Sequence, residues 1–342
     1  MKCEELLKGL SYECIRGSID CEIKQVVYDS RKLSQGCLFI CICGYNVDGH
    51  SFAKEAAQKG AAAIVVQKDV ELPYDSEITV IRVEDTRYAM AFISAAYFGH
   101  PADRLKVIGI TGTKGKTTTT YLIKSILEKA GYKVGLVGTI ETIIGEKHIP
   151  ASNTTPESFL LQQYFMEMEK AGCQIVVMEV ASQGLKLHRT FEIGIFTNLE
   201  PDHIGPNEHA DFEEYQFCKG LLFKQCRLGI VNKDDVHMNA VLEGHTCQLE
   251  TYGFDKTADL YAEDLKLVNK PGELGIDFTI RLKDAQMEAF TVEVPTPGRF
   301  SVYNALTAIA VCRHFKVEAS QIQKVLLSAH VRGRIEMVPV SD

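Results

Sequence analysis

The chain has 342 residues, 46% of them hydrophobic, and its 37 basic and 45 acidic residues give a net charge of −8. This length predicts two or three domains with ample core. The acidic balance argues against a nucleic-acid or membrane partner and leaves room for a small anionic ligand in a local basic pocket. No apolar run approaches the roughly 20 residues of a membrane span, and the N-terminus lacks a secretory core, so the sequence predicts a cytoplasmic protein.

Eleven cysteines are scattered along the chain, an odd number with no Cys-x-x-Cys pair. Several of them, such as Cys41, Cys173 and Cys312, lie inside apolar runs. Cysteines in this pattern are typical of reduced core or surface thiols. The sequence therefore predicts neither a disulfide framework nor a zinc site.

The pattern of the first hundred residues predicts a small α/β unit. Strands are predicted at residues 37–43, 61–66 and 78–83, with helices at 50–59 and 85–98. The segment GHPAD that follows breaks the last helix, because proline and glycine disfavour helix continuation. We therefore place a domain boundary between residues 102 and 103.

Strands and helices then alternate, which predicts a mostly parallel sheet covered by helices. Alternating polar and apolar residues in the range 275–294 predict a β-hairpin appended to that sheet. The remaining predicted elements are strands at 105–110, 133–138, 174–180, 193–197 and 228–231, and helices at 115–131, 156–171, 212–223, 301–315 and 319–329.

Residues 107–118, VIGITGTKGKTT, form a buried strand, a glycine turn and a helix start. Backbone N–H groups freed by Gly112 and Gly115 can point at phosphate oxygens, Lys116 can reach the β- and γ-phosphates, and the Thr117 hydroxyl can hold Mg²⁺. The usual spacing places a glycine where this chain has Ile110, so the loop is a tight variant. The sequence predicts a nucleoside triphosphate site.

Three further polar residues follow predicted strands or lie on a predicted helix. Glu179 ends an apolar strand at the edge where ligands of parallel sheets bind, which makes it a candidate Mg²⁺ ligand. His203 could coordinate Mg²⁺ through a ring nitrogen, but taken alone it is better explained as a hydrogen-bonded loop histidine. Lys219, taken alone, is better explained as a surface lysine paired with a nearby glutamate.

Several separated motifs together resemble the Mur ligases of peptidoglycan synthesis, most closely the branch that adds the third stem-peptide residue. In the first domain, residues 28–32 and 44–50 look like the family's uridine-binding segments. Residues 297–305 and 333–336 look like the stretches that approach the nucleotide. The other motifs are 111–118, 153–157 (NTTPE), 178–182 (MEVAS), 196–199 (FTNL), 202–203 (DH), and Tyr215 with Lys219.

The resemblance implies an ATP- and Mg²⁺-dependent amide ligase that supports cell-wall formation, cell shape and division. ATP phosphorylates the D-glutamate side chain of UDP-MurNAc-L-Ala-D-Glu, and the amine of an amino acid attacks the acyl phosphate. In the family the lysine matching Lys219 is carbamylated, so the same modification is expected here. The implied catalytic residues are Lys116, Lys219 and His203.

The resemblance also implies the binding residues. Thr117 and Glu179 are expected to hold one Mg²⁺, and His203 with carbamylated Lys219 a second. Read without the resemblance, Arg189 is an exposed arginine paired with a surface acid. The implied ATP-binding residues are Gly112, Thr113, Lys114, Gly115, Lys116, Thr117, Thr118, Asn304 and Arg334, and the implied substrate-binding residues are Ser30, Asn153, Thr154, Thr155, Ser182 and Arg189.

The chain departs from the family pattern in three places. The usual Ser-Ser-His-Ala-Leu appears as residues 181–185, ASQGL, and an expected glutamine is Leu187. The family also continues into a C-terminal Rossmann-like domain of about 150 residues. We expect residues 1–102 to bind the UDP substrate, 103–338 to bind ATP, and 339–342 to start a linker to a missing domain, so this chain alone should be weakly active or inactive.

Two other functions stay open from the sequence. One is a non-catalytic module that binds the cell-wall precursor and a nucleotide. The other is a related ligase of the folylpolyglutamate or cyanophycin type, which shares residues 115–117 and does not need a uridine-binding first domain. The expected partners are small molecules, and a monomer is the expected state.

Overall fold

The computed structural model describes residues 1–44, 47–182, 191–202, 204–205, 209–270, 273–283 and 288–328. The chain forms two compact units. The first contains Met1–Asp103 and Glu157–Met166, and the second contains Arg104–Pro156 and the described residues from Glu167 onward. No helix in these described ranges is long and apolar enough to cross a membrane.

The first unit is a five-stranded sheet with the order β1-β5-β4-β3-β2. Strands β2 to β5 are parallel, and β1 joins the edge in the antiparallel direction. The predicted strands and helices of this unit are confirmed, and β1 and β2 are additional short strands. The elements are α1 (Cys3–Leu6), β1 (Glu13–Arg16), β2 (Gln25–Val27), β3 (Cys37–Ile40), α2 (Ala53–Gln58), β4 (Ala63–Val66), β5 (Thr79–Arg82) and α3 (Thr86–Tyr97).

The first half of the second unit contains the strands that hold the phosphate loop and Glu179. Helix α5 begins within the segment Glu157–Met166 of the first unit. The elements are β6 (Lys106–Thr111), α4 (Lys116–Lys129), β7 (Val134–Val137), β8 (Glu141–Ile144), β9 (Lys147–Pro150), α5 (Ser158–Lys170), β10 (Ile175–Glu179), β11 (Phe191–Phe196) and α6 (Phe212–Gly220).

The second half extends the same sheet and adds two helices. The predicted hairpin is confirmed as β15 and β16, and β14 pairs with β15 as a further antiparallel strand that the sequence analysis did not predict. The elements are β12 (Cys226–Asn232), α7 (Met238–Val241), β13 (Gln248–Gly253), β14 (Leu260–Lys270), β15 (Glu273–Leu282), β16 (Phe290–Val294), α8 (Arg299–Arg313) and α9 (Ala319–Leu327).

The sheet of the second unit places three strand ends side by side. Its order is β16-β15-β14-β13-β12-β11-β6-β10-β7-β8-β9. Strand β6 lies between β10 and β11, and all three are parallel. Almost all residues of β6, β10 and β11 are apolar and buried. They pack with residues of helices α4 and α8 in one hydrophobic core. The polar residues that follow β6, β10 and β11 therefore meet at one edge, as the sequence predicted.

Candidate nucleotide and metal site

The phosphate loop connects β6 to α4 and requires glycine at two positions. Gly112 has φ +140° and Gly115 has φ +86°, values that side chains rarely adopt. A Cβ at Gly112 would collide with the Thr197 hydroxyl, and one at Gly115 would lie 2.6 Å from Asn304 Oδ1. Both glycines therefore permit close approach of the backbone as well as a left-handed conformation.

Residues after β11 hold the loop from the other side. The backbone N–H of Thr113 donates to the carbonyl of Asn198 at 2.9 Å, and that of Lys114 donates to Asn198 Oδ1 at 2.8 Å. The Thr197 hydroxyl donates to the Lys114 carbonyl at 2.8 Å. The loop is thus fixed by hydrogen bonds that do not depend on a bound ligand.

Lys116, the first residue of α4, lies over the loop. Its half-buried side chain donates to the carbonyls of Gly112 at 2.8 Å and Thr113 at 3.0 Å. Lys114 is exposed instead and forms an ion pair with Glu200. Lys116 is therefore placed to contact phosphate oxygens above the loop, and Lys114 lies at its rim.

A buried carboxylate lies beside the start of α4. Glu179 is 1% exposed and accepts hydrogen bonds from the Thr117 hydroxyl at 3.1 Å and from the Thr139 hydroxyl at 3.0 Å. The backbone N–H of Thr139 donates to its other oxygen at 2.9 Å. This set of hard oxygen donors fits Mg²⁺, which prefers carboxylate, hydroxyl and water ligands.

Lys219 is buried beneath the phosphate loop, so its interpretation as a surface lysine is wrong. It is 2% exposed, its Nζ donates to the Gly112 carbonyl at 3.1 Å, and it lies 4.3 Å from the centre of the Tyr215 ring. Burial, followed by the positive charge of Lys116, lowers the pKa of Lys219 well below its usual value of 10.5. The environment of Lys219 thus favours a neutral amine.

Lys116, Thr117 and Glu179 border a cavity of about 640 Å³. Its size is within the range of small-molecule sites. At the start of α8, Phe300 is 60% exposed, and Asn304 accepts a hydrogen bond from the Thr119 hydroxyl at 3.3 Å. The cavity is lined by Thr113, Lys114, Gly115, Lys116, Thr117, Thr118, Thr139, Thr154, Glu179, Phe300 and Asn304.

The predicted substrate residues of the second unit lie near Glu179 in different settings. The Thr155 hydroxyl accepts from the N–H of Ala181 at 2.8 Å and donates to the Glu179 carbonyl at 3.2 Å. Thr154 lines the cavity, and Asn153 is exposed. Ser182 is 6% exposed and lies outside the cavity lining. Its hydroxyl lies 2.6 Å from Nε2 of His209.

In the first unit, Ser30 begins a short 3₁₀ helix, Ser30–Lys32, that is capped by Asp29. Nearby in sequence, His50 is buried, and its Nε2 accepts a hydrogen bond from the N–H of Gln67 at 3.1 Å. The proton of the ring therefore resides on Nδ1, which lies 2.6 Å from Asp48.

Three predicted site residues, Arg189, His203 and Arg334, lie outside the described residues. Conversely, four residues with no individual role predicted from the sequence contact predicted site residues or line the cavity: Thr139, Asn198, His209 and Phe300. Thr139 had a usable signal, because it is a polar residue that follows the predicted strand 133–138. Phe300 belongs to the motif at residues 297–305, but only the fold shows that it lines the same cavity as the phosphate loop.

Comparisons with known proteins give a consistent result. A family model described as "Mur ligase middle domain" matches residues 110–312, and one described as "Mur ligase family, catalytic domain" matches residues 22–98. The UDP-N-acetylmuramoyl-L-alanyl-D-glutamate–2,6-diaminopimelate ligases of Clostridium perfringens and Clostridium botulinum are 41% and 42% identical to this chain. Each alignment covers 99% of this chain and 69% of the relative.

A solved structure of a UDP-N-acetylmuramoyl-L-alanyl-D-glutamate–2,6-diaminopimelate ligase superimposes with a TM-score of 0.83. The superposition covers 100% of this chain and 69% of the solved one, with 23% sequence identity. At that identity the likeness establishes the fold.

Proposed function

Because this chain belongs to the Mur ligase family, we propose that it carries out the ATP-dependent ligation of the third stem-peptide amino acid to UDP-MurNAc-L-Ala-D-Glu. The observation that supports this most strongly is the cavity that joins Lys116 of the phosphate loop to the Thr117–Glu179 pair. The relatives are named for 2,6-diaminopimelate. Diaminopimelate is therefore the first amino acid to test, with lysine as the second.

We propose that the phosphate loop binds the triphosphate of ATP. Backbone N–H groups at the start of α4 and the Lys116 ammonium offset the phosphate charge, and this electrostatic stabilisation grows as the γ-phosphoryl group moves to the substrate carboxylate. Four further residues line the cavity. We assign Lys114 and Thr118 to the phosphates, and Asn304 and Phe300 to the rest of the nucleotide. Arg334 stays a predicted nucleotide contact.

Mur ligases use ATP and Mg²⁺. Thr117 and Glu179 are the proposed ligands in this chain, since both present oxygen atoms at the cavity wall. A bound Mg²⁺ supplies charge neutralisation at the phosphate oxygens. Thr139 orients the Glu179 carboxylate through two hydrogen bonds.

We further propose that Lys219 is carbamylated in the active protein. Its neutral amine nitrogen attacks the carbon of CO₂, and a C–N bond forms as one C=O π pair moves onto oxygen. The nitrogen then loses one proton to solvent, which leaves an anionic carbamate. The lowered pKa supports this step, because only the unprotonated amine is a nucleophile. The carbamate oxygens and His203 are the proposed ligands of a second Mg²⁺.

Labelling with ¹³C-bicarbonate tests this modification. The unaltered chain should show a carbamate ¹³C resonance, and the Lys219→Met variant should lack it. A resonance of equal intensity in both proteins would place the carbamate elsewhere.

The proposed precursor contacts fall in both units. Ser30 in the first unit is assigned to the uridylyl part. In the second unit, Asn153, Thr154, Thr155, Ser182 and Arg189 are assigned to the muramoyl-peptide part. The domain limits at residues 102–103 and 338, the monomeric state and the cytoplasmic location stay predictions of the sequence.

Calorimetric titration of this chain with UDP-MurNAc-L-Ala-D-Glu tests the function. The titration is run with and without a non-hydrolysable ATP analogue and Mg²⁺, with UDP-GlcNAc as the control ligand. We expect saturable binding that discriminates against the control. Nucleotide binding without precursor binding would refute the proposed substrate and favour a related ligase. In a parallel assay, phosphate release that depends on the precursor and on diaminopimelate or lysine would exclude a non-catalytic binding module.

A further inference from the structure

His209 forms a buried link between two parts of the site. It precedes helix α6 and is 1% exposed, and its Nε2 lies 2.6 Å from the hydroxyl of Ser182, which is 6% exposed. Ser182 follows β10 by three residues. The hydrogen bond therefore joins the strand that ends in Glu179 to the start of the helix that contains Lys219.

On the helix side, the contacts continue to the phosphate loop. The rings of His209 and Tyr215 have centroids 5.2 Å apart, and Tyr215 is fully buried. The Tyr215 hydroxyl lies 3.3 Å from the Thr113 hydroxyl, and the Tyr215 ring faces Lys219 Nζ at 4.3 Å. His209 is thus one side chain away from both the phosphate loop and Lys219.

On the strand side, the contacts reach the proposed precursor-binding residues. The N–H of Ala181 donates to the Thr155 hydroxyl at 2.8 Å. Residues 181 and 182 are therefore held between Thr155 on one side and His209 on the other. A ligand that contacts Thr155 or Ser182 therefore contacts the hydrogen-bonded segment formed by residues 181 and 182 or its direct partner.

From these contacts we propose that His209 is a positioning residue that couples precursor binding to nucleotide binding. Close-packed side chains have few alternative arrangements, so a shift of Ser182 displaces His209 and, through Tyr215, the Thr113 end of the phosphate loop. The role assigned to His209 is positional, because its contacts with Ser182 and Tyr215 link residues that we assign to the two ligands. The inference rests on the proposed function, because it assigns the precursor to the Thr155–Ser182 segment.

The quantity that tests this inference is the coupling factor, the ratio of the Kd of the Mg²⁺–ATP analogue without precursor to the Kd with saturating UDP-MurNAc-L-Ala-D-Glu. We expect a factor of at least about five for the unaltered chain. His209→Leu and Ser182→Ala should each bring the factor to within about twofold of one, and the double variant should lose no more than either single variant. His209→Gln, which can still hydrogen-bond Ser182, should retain most of the coupling.

His314→Leu is the matched control. This histidine also lies in the second unit and its Nε2 lies 2.8 Å from a Glu250 carboxylate oxygen, so the variant loses a comparable contact. Equal coupling in the unaltered chain and His209→Leu, or an equal loss in His314→Leu, would overturn the inference. If His209→Leu fails to fold, the coupling factor of Ser182→Ala tests the inference instead. If the unaltered chain binds no precursor, both the proposed function and this inference are refuted. If precursor binds but the His209 and Ser182 variants leave the coupling factor unchanged, only this inference is refuted.

Discussion

The hydroxyl of Thr117 donates a hydrogen bond of 3.1 Å to the carboxylate of Glu179. The two residues are 62 positions apart in the chain. They meet because β6 and β10 are adjacent parallel strands, so the helix start after one strand lies beside the last residue of the other. The pair offers two hard oxygen donors at the wall of the phosphate cavity.

Replacing Glu179 by glutamine should remove the Mg²⁺ dependence of nucleotide binding. The amide carries no charge, and its nitrogen cannot accept the hydrogen bonds that Thr117 and Thr139 donate. We expect the affinity for the ATP analogue in Mg²⁺ to fall by at least about tenfold. Calorimetry with Mg²⁺ and with EDTA measures this, and Glu192→Gln, which alters a surface ion pair with Arg227, is the control. An unchanged Mg²⁺ dependence would exclude Glu179 as a ligand.

Replacing Lys116 by methionine should weaken ATP-analogue binding by about tenfold to a hundredfold, since a charge-assisted hydrogen bond contributes about 1.5–3 kcal/mol. The ammonium of Lys116, which donates to the carbonyls of Gly112 and Thr113, is the cation expected to contact the phosphates. Methionine cannot supply that charge. Lys124→Met is the control, because Lys124 pairs with Glu128 in the same helix. Equal affinity of the two variants would contradict the assigned role.

Gly112→Ala should abolish nucleotide binding through the shape of the loop. Its φ of +140° disfavours any side chain, and the added methyl would overlap the Thr197 hydroxyl. Gly131→Ala is a matched control, because its φ is +94° and no atom lies within 4 Å of the added methyl. The control should lose about 1 kcal/mol of unfolding free energy and bind nucleotide normally. Normal binding by Gly112→Ala would show that the loop tolerates a side chain.

The buried Lys219 should make stability depend on pH in the metal-free, CO₂-depleted protein. Its pKa in the folded state is lowered below 10.5, chiefly by burial. Between the folded pKa and 10.5 the unfolded chain binds a proton that the folded chain releases, so the free energy of unfolding rises with pH. Lys219→Met should remove this contribution and be at least as stable as the unaltered chain at neutral pH.

Urea denaturation at several pH values from neutrality toward 10.5 measures this slope. Lys129→Met, which removes an exposed lysine at the end of α4, should keep the slope of the unaltered chain. A slope that Lys219→Met leaves unchanged would show that another group governs the pH dependence.

Local sequence determined the phosphate loop, the strands that flank it and the position of Glu179. These features depend on short-range properties: glycine where the backbone needs positive φ, unbroken apolar runs in strands buried on both faces, and a polar residue where each run ends. The same properties predicted the β15–β16 hairpin, because alternation of side chains is itself a local signal.

The tertiary structure alone decided which side chains meet. The sequence around Lys219 is that of an ordinary surface lysine on helix α6. Only the packing of α6 beneath the phosphate loop buries this lysine and lowers its pKa. Ser182 and His209 are 27 residues apart, and no local sequence pattern predicts their hydrogen bond. Such contacts arise from the order and register of strands in the sheet, which depend on the free energy of the whole core rather than on any single segment.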